Sequence, residues 1–342
     1  MVWTLAELAD ALGAGLDGPP GHIVARPAAP DSDDAQGIAF CTTRQVARHA
    51  QNSGVGAVIA PAELPVRGKP RLITGDPYRA FGRFLLLYRP EDGREAGRHP
   101  TAQVASSARV EPSAFLGAYV VVEDDVRIDS GAQILSFCHI GRGSVIGART
   151  TLHPHVVLYP RTRVGRDCLL HAGSIVGSEG LGFFPGADGS WQKFPQVGDA
   201  ELGDEVQLGA GTVVERGAFG TTRVGPGTKI GAQTVIGHNA TIGSGAMISG
   251  QVGIAGSATI GDNVLMGGQA GVADHVTIAD GVALGARAAA LRDLPHAGLH
   301  FGVPARPAEE IMRAYAIFPW LPELLRRVQR LDARCEEHRK RS

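Results

Sequence analysis

The sequence predicts a mainly β protein, a parallel β-solenoid set between a small N-terminal α/β domain and C-terminal α-helices. Three observations carry this prediction. An aliphatic residue recurs every six positions, the residue four places after it is small, and the pulse is absent before about residue 100 and decays after Leu284. A six-residue period fits neither the roughly 3.6 of a helix nor the two of a flat strand, so each unit is a short strand followed by a corner.

Residues 1–100 lack the pulse and read as the α/β domain. Leu5-Ala-Glu-Leu-Ala-Asp-Ala-Leu12 is a short amphipathic segment, and Val55-Gly-Ala-Val-Ile-Ala60 reads as a buried strand. Asp76-Pro77 opens a helical stretch carrying Phe81, Phe84, Leu85 and Tyr88, since Asp caps a helix and Pro suits its first position. Glu91 to Pro100 is a polar linker.

Residues 101–295 hold the solenoid. Its hexads start at Val104, Val110 and Leu116 and keep phase to Val176; they resume at Leu202, Leu208 and Val214, then run from Val224 to Leu284. The fifth places hold Ala108, Ala114, Ala132, Cys138, Ser144 and Thr150, onward to Val276 and Val282. Such repeats cannot bury their apolar face alone; stacking supplies the core, with each strand bonded to its neighbours about 4.8 Å away. Two interruptions stand out. From Val176 to Leu202 is 26 residues, two more than four hexads, and the segment between contains Trp191, Lys193 and Gln196, which read as an excursion for recognition. From Val214 to Val224 is 10 residues, so a smaller loop is inserted near Gly217 to Thr222.

Residues 296–342 form a helical extension. Ile311, Met312, Tyr315, Leu321, Leu324, Leu325, Val328 and Leu331 have helical spacing, and Pro319 and Pro322 place a break between two helices. Arg326, Arg327, Arg330, Arg334, Arg339 and Arg341 make either a solvated face or a landing patch for an acidic partner.

Composition narrows the function classes. The chain has 342 residues with 33 basic and 34 acidic side chains, which gives no field for nucleic acid. No apolar run approaches the roughly 20 residues of a membrane span, so at most peripheral membrane contact is expected. Met-Val-Trp-Thr-Leu-Ala-Glu lacks the basic start and apolar stretch of a signal peptide, which reads as cytoplasmic. Cys41, Cys138, Cys168 and Cys335 make neither a disulfide framework nor a metal site; Cys138 and Cys168 take the small fifth place and read as buried packing residues.

Chemistry is expected where a reactive side chain occupies a corner. His238 does so, at the third place of Ile236-Gly-His-Asn-Ala-Thr241. Spacing alone does not lift it above the other 11 of the chain's 12 histidines, which include His139, His153, His155 and His171.

The chain resembles the UDP-3-O-acylglucosamine N-acyltransferases of lipid A synthesis, a family of hexapeptide-repeat acyltransferases. Matching stretches are Gly37-Ile-Ala-Phe40, Ala57-Val-Ile59, Asp76-Pro-Tyr-Arg-Ala-Phe81, Glu179-Gly-Leu-Gly182, Trp191-Gln-Lys-Phe-Pro-Gln-Val-Gly198, Glu215-Arg-Gly-Ala218, Ile236-Gly-His-Asn239 and Gly302-Val-Pro304. Their order along the chain, and the joint presence of the N-terminal domain and the Trp-Lys-Pro-Gln loop, make the likeness specific.

This resemblance implies a left-handed parallel β-helix with three hexads to a lap, hence nine laps for the 27 hexads counted. It implies that residues 1–100 bind the uridine of a nucleotide-sugar. It implies transfer of a 3-hydroxyacyl chain from the phosphopantetheine arm of acyl carrier protein to the 2-amino group of a UDP-3-O-acyl-glucosamine, without a further cofactor or a metal. A homotrimer with active sites between solenoids is expected. His238 falls on the family's catalytic histidine, as general base. One lap on is Gly256, whose N–H is placed to stabilise the oxyanion, and His275, beside the position a further lap up, either contacts substrate or is an ordinary corner residue. Asn239, Phe40, Thr43 and Gln196 are the remaining candidate substrate contacts.

The chain also departs from the family. Thr43 and Val46 stand where the family has the Asn and Tyr that accompany its uracil-stacking Phe, and Gly231-Ala232 replaces Asp-Asn. These changes mark an outlying member, or a relative with a different nucleotide-sugar. Alanines at 288, 289 and 290 leave room for a long acyl chain. Two alternatives compete: a transferase acting on another nucleotide-linked amino sugar with a coenzyme A or carrier-protein donor, and a solenoid without transfer activity.

Overall fold

The computed structural model describes residues 2–89 and 94–341. The linker residues Glu91 to Gly93 and the side chains of Arg334, Arg339 and Arg341 lie outside the described residues. The chain divides into two compact units, Met1–Gly93 and Arg94–Ser342.

In the first unit the amphipathic segment is helix α1 (Leu5–Leu12), opened by a reciprocal pair in which Thr4 Oγ1 accepts from the Glu7 N–H while the Glu7 carboxylate accepts from the Thr4 N–H. Helix α2 spans Arg44–Asn52 and helix α3 spans Pro77–Tyr88, the latter capped by Asp76, as its sequence requires. The helices flank a five-stranded sheet whose central part is parallel. Ala57–Ala60 is buried at every position, which is why its sequence reads as an unbroken apolar run. Leu5, Leu8, Ile38, Ile59, Leu72 and Phe84 form the core beneath α1 and α3.

The second unit is a left-handed parallel β-helix. Three sheets of nine, ten and twelve strands form its faces, nearly every strand two residues long and paired with the strand 18 residues away. The first hexad place points inward: Leu116, Ile128, Ile134, Ile140, Ile146 and Leu152 are among the largest fully buried side chains. Each such burial contributes about 1.5–3 kcal/mol, repeated on three faces per lap. The fourth place makes the corner, with a left-handed φ of about 60° even where the residue is Asn239, Ser257 or His275. Cys138 and Cys168 are buried among the fifth-place residues, and burial pushes the Cys138 thiol up to about 11.

The solenoid extends at both ends beyond the hexad count. Gly97–Arg98, within the stretch read as linker, pairs with Phe115–Leu116 and starts the twelve-stranded sheet. Gly298–Phe301 pairs in parallel with Val282–Leu284, and Arg306–Pro307 then turns back against it. Helix α4 (Ala308–Ile317) and helix α5 (Leu321–Arg341) follow, separated by one 3-10 turn at Phe318–Trp320. Pro319 lies in that turn and Pro322 in the first turn of α5, where a missing N–H breaks no helical bond. No helix among the described residues is long and apolar enough to cross a membrane.

Candidate active site

Both interruptions of the hexad pattern leave from one edge of the prism. Ile175–Ser178, Val213–Glu215 and Val235–Ile236 are successive strands of the ten-stranded sheet, and the chain passes from each across the same edge to the nine-stranded sheet. The excursion follows the first, the short insertion follows the second, and His238 follows the third. In the excursion Phe183–Pro185 and Trp191–Lys193 form a small hairpin with Leu181, Phe183 and Trp191 exposed.

His238 lies half-buried on this edge, and its ring stands over Gly256 of the next lap. A β-carbon added at 256 would fall 2.7 Å from both Nε2 and Cε1 of the imidazole, so only glycine leaves the ring where it is. Among the described residues no acceptor meets the Gly256 N–H. At matching places on another edge, the N–H groups of Ser244 and Asp262 each donate to a carboxylate, at 2.6 and 2.8 Å. The Gly256 N–H is thus a donor available to a ligand beside a basic ring nitrogen, which is the pairing an acyl-transfer site requires.

Three further contacts tie the excursion and the insertion to this corner. The Glu215 carboxylate accepts from the His238 N–H at 3.0 Å. Gly180 of the excursion lies against that carboxylate so closely that a β-carbon there would fall 2.1 Å from Oε2. Gln196 is 3% exposed, and its Oε1 accepts the Gly180 N–H at 2.7 Å. Gln196 therefore braces the loop from inside. Replacing Gln196 with Ala leaves the half-buried Gly180 N–H without its partner, a cost of about 0.5–1.5 kcal/mol. The expected outcome is faster limited proteolysis within residues 178–198 with an unchanged melting midpoint for the solenoid. Arg216 is also buried; Nε donates to Gly177 O at 2.6 Å and a terminal nitrogen donates to Pro160 O at 3.0 Å, and desolvation holds its pKa below the ordinary arginine value.

The other candidates divide clearly. Asn239 adjoins His238, with both ends of its amide bonded inside the chain. His275 is exposed and belongs to the column of Asn239 and Ser257 at the fourth place, whereas Asp274 occupies the column of His238 and Gly256. Phe40 and Thr43 belong to the N-terminal unit. Phe40 packs with Phe81 and Tyr78, ring centroids 4.8 and 5.8 Å apart, and the 74% exposed Tyr78 leaves an aromatic surface open. Thr43 caps α2, its hydroxyl accepting the Val46 N–H at 3.3 Å. Glu215 and the insertion behind it are the parts of the site that residue-by-residue reading missed. Their signal was the phase of the hexads, since the interruptions and His238 are separated by whole laps.

Beside this edge a groove of about 450 Å³ runs up the outer face of the ten-stranded sheet, lined by Val235, Gly253, Ala255, Gly271, Ala273 and Ala289, with Leu291 at its far end. Of the three alanines expected to open an acyl site, only Ala289 faces it; Ala288 and Ala290 point into the core at 1% exposure, because neighbours on a strand face opposite ways. Among the described residues no group of three or more His, Cys, Asp or Glu side chains is placed to hold a metal ion.

Comparison with known proteins agrees with this architecture. A family described as bacterial transferase hexapeptide (six repeats) matches residues 119–154 and 221–256, and one described as hexapeptide repeat of succinyl-transferase matches residues 257–288. The UDP-N-acetylglucosamine O-acyltransferase of Moraxella catarrhalis is 25% identical in sequence, with a TM-score of 0.50 over 64% of this chain and 77% of its own. The Arabidopsis UDP-N-acetylglucosamine acyltransferase shares the fold with a TM-score of 0.55 at 17% identity, over 60% of this chain and 71% of its own. The UDP-3-O-acylglucosamine N-acyltransferase of Coxiella burnetii (strain Dugway 5J108-111) is 34% identical over 243 residues, 71% of each chain. That of Pseudomonas syringae pv. tomato is 34% identical over 239 residues, 70% of this chain and 68% of its own. With its repeats, its two loops on one edge and this degree of identity, the chain belongs to the UDP-3-O-acylglucosamine N-acyltransferase family.

Proposed function

We propose that the protein transfers a 3-hydroxyacyl chain from acyl carrier protein to the 2-amino group of UDP-3-O-acyl-glucosamine, in the synthesis of lipid A. The observation that carries this reading is the imidazole of His238 over the bare backbone of Gly256, beside an apolar groove. In the reaction the amine nitrogen attacks the thioester carbonyl and gives its proton to Nε2 of His238. The Gly256 N–H donates to the oxyanion. As the tetrahedral centre collapses, the carbon–sulfur bond breaks and the thiolate takes the proton from the imidazolium, leaving amide and free thiol. In this reading His275, exposed on the same edge two laps from the Asn239 corner, contacts the donor arm. The acyl chain is carried to the site on phosphopantetheine, so the protein holds no cofactor of its own and needs no metal.

Phe40 and the aromatic surface of Tyr78 fit a stacked pyrimidine, and Thr43, engaged as a helix cap, leaves the nucleotide with fewer polar contacts than the family pattern supplies. Arg326, Arg327 and Arg330 of α5 suit the acidic surface of a carrier protein. A cytoplasmic homotrimer completes this reading, each groove closed by a neighbouring solenoid.

The test is mass analysis of products from the wild-type protein offered acyl carrier protein or coenzyme A thioesters and a panel of nucleotide-linked glucosamines. An N-acylated UDP-3-O-acyl-glucosamine formed from the carrier-protein donor is the expected product. A product formed only from coenzyme A, or only on another amino sugar, favours the alternative transferase reading. The groove adds a second outcome. Ala289→Met fills its upper part with three more heavy atoms, so the preferred donor shortens by several carbons, and competition between donors of graded length measures the shift.

A further inference from the structure

We propose that Asn239 is a positioning residue, which fixes the imidazole of His238 as the Nδ1–H tautomer and so leaves Nε2, a ring atom lying against Gly256, unprotonated. This rests on the reading of His238 as the base and adds the device that makes it one. The sequence suggested that Asn239 touches substrate; the hydrogen bonds give it another task.

The side-chain amide of Asn239 is held at both ends by the backbone of the short insertion. Its Oδ1 accepts the Ala218 N–H at 2.8 Å, and its Nδ2 donates to the Phe219 carbonyl at 2.6 Å. A peptide N–H only donates and a peptide carbonyl only accepts, so rotating the amide by a half-turn would set two donors and two acceptors against each other. The orientation is therefore dictated by the network. Oδ1 also lies 3.2 Å from Nδ1 of His238, and an oxygen in that position can only accept, so the proton sits on Nδ1. A neutral imidazole carries one N–H, which leaves Nε2 unprotonated on the side where the Gly256 β-carbon is missing.

The backbone holds Asn239 in place as well. Its N–H donates to Thr222 Oγ1 at 2.8 Å, and its φ of 60° lies in the left-handed region that Asn and Gly tolerate best. At the fourth place of another edge the side chains bond one another along the prism, as Gln251 does with Gln233 at 3.0 Å and with Gln269 at 2.8 Å. Asn239 instead turns to the insertion and the ring. The four extra residues near 217–220 thereby acquire a purpose: they supply the two backbone groups that orient the amide. The charged group in direct contact with this corner is the Glu215 carboxylate, and it bonds the backbone N–H of His238 rather than the ring.

The test reads the ring directly. Full-length protein labelled with nitrogen-15 in histidine gives the two ring shifts of His238, identified by their loss in His238→Ala, at a pH where the ring is neutral. The expected result is a His238 ring protonated on Nδ1 in the wild type and a mixture of tautomers in Asn239→Gly. Glycine suits the left-handed φ, so this variant removes the amide without straining the corner. In the acylation assay Asn239→Gly lowers kcat about two- to tenfold, in proportion to the share of rings shifted to the Nε2–H form, while KM for the nucleotide-sugar stays within about twofold, since a base in the wrong tautomer binds substrate but does not take its proton. A wild-type ring protonated on Nε2, or ring shifts in Asn239→Gly identical to wild type, overturns the proposal. A raised KM with unchanged kcat overturns it in favour of a substrate contact. Because the ring shifts are measured without substrate, they stand apart from the function: an expected tautomer with no effect of His238→Ala on acylation counts against the base assignment alone.

Discussion

His238→Ala lowers kcat for amide formation by about a hundred- to ten-thousand-fold, the range over which a positioned general base contributes, and leaves the fold intact. The reason for intactness is local. The imidazole lies outside the core, the backbone N–H that Glu215 holds at 3.0 Å survives the substitution, and the neighbouring interior residues Ile236 and Ala240 are untouched. Single-turnover acyl transfer measures the first effect and thermal unfolding the second. A loss below about tenfold with the melting midpoint unchanged would place the base elsewhere, with His275 the next imidazole on that edge. A collapse of the midpoint would instead mean that the ring is a structural prop of its corner.

The solenoid was legible in the sequence because each lap repeats one instruction. An inward aliphatic and a small fifth-place residue have no other way to be buried at a six-residue period, so Ile140 and Ala246 could be assigned to the core without coordinates. The ends were less legible for the same reason. Gly97–Arg98 and Gly298–Phe301 pair with the sheet without an inward aliphatic at the hexad place, which Arg98 and the buried His300 take instead, so they leave no aliphatic mark. In the N-terminal unit Ala57–Ala60 and α3 announced themselves through an apolar run and an Asp-Pro cap, whereas α2, mostly polar and burying only Ala47 and Ala50, carried no large aliphatic to mark its inner face.

The site was legible as columns and illegible as a network. Adding one lap to His238 reaches Gly256, and the β-carbon geometry agrees with that count. The same arithmetic shows that His275 is one place out of the His238 column, a distinction that matters because the third and fourth places of a corner differ in backbone conformation. What spacing could not reveal is that Gln196, 42 residues before His238 in sequence, acts on it through Gly180 and Glu215. Such a chain of contacts depends on the path of an irregular loop, and loop paths are set by hydrogen bonds that leave no periodic trace. Likewise Ala288, Ala289 and Ala290 look alike as letters, yet the pleat turns only the middle one to the groove.

Gly256→Ala is the more discriminating substitution, because it adds one carbon and removes nothing. Its β-carbon would sit 2.7 Å from Nε2 and Cε1 and 3.2 Å from Cδ2 of His238, distances at which one partner must move. The Gly256 carbonyl accepts the His275 N–H at 3.2 Å and the following Ser257 N–H donates to the His238 carbonyl at 2.8 Å, so the backbone is pinned on both sides and the ring is what yields. The side chain is partly exposed and can rotate, which keeps the cost to stability near the 1 kcal/mol of a displaced surface rotamer. Catalysis has no such freedom. The turned ring no longer lies beside the Gly256 N–H, and the added methyl occupies the space that the proposed reaction gives to the thioester carbonyl. The expected result is a fall in kcat of at least a hundredfold, close to that of His238→Ala, with the double variant no worse than the single ones. Additive losses in the double variant would show that the ring and the amide act in separate places, and the transfer chemistry would then need a different oxyanion donor.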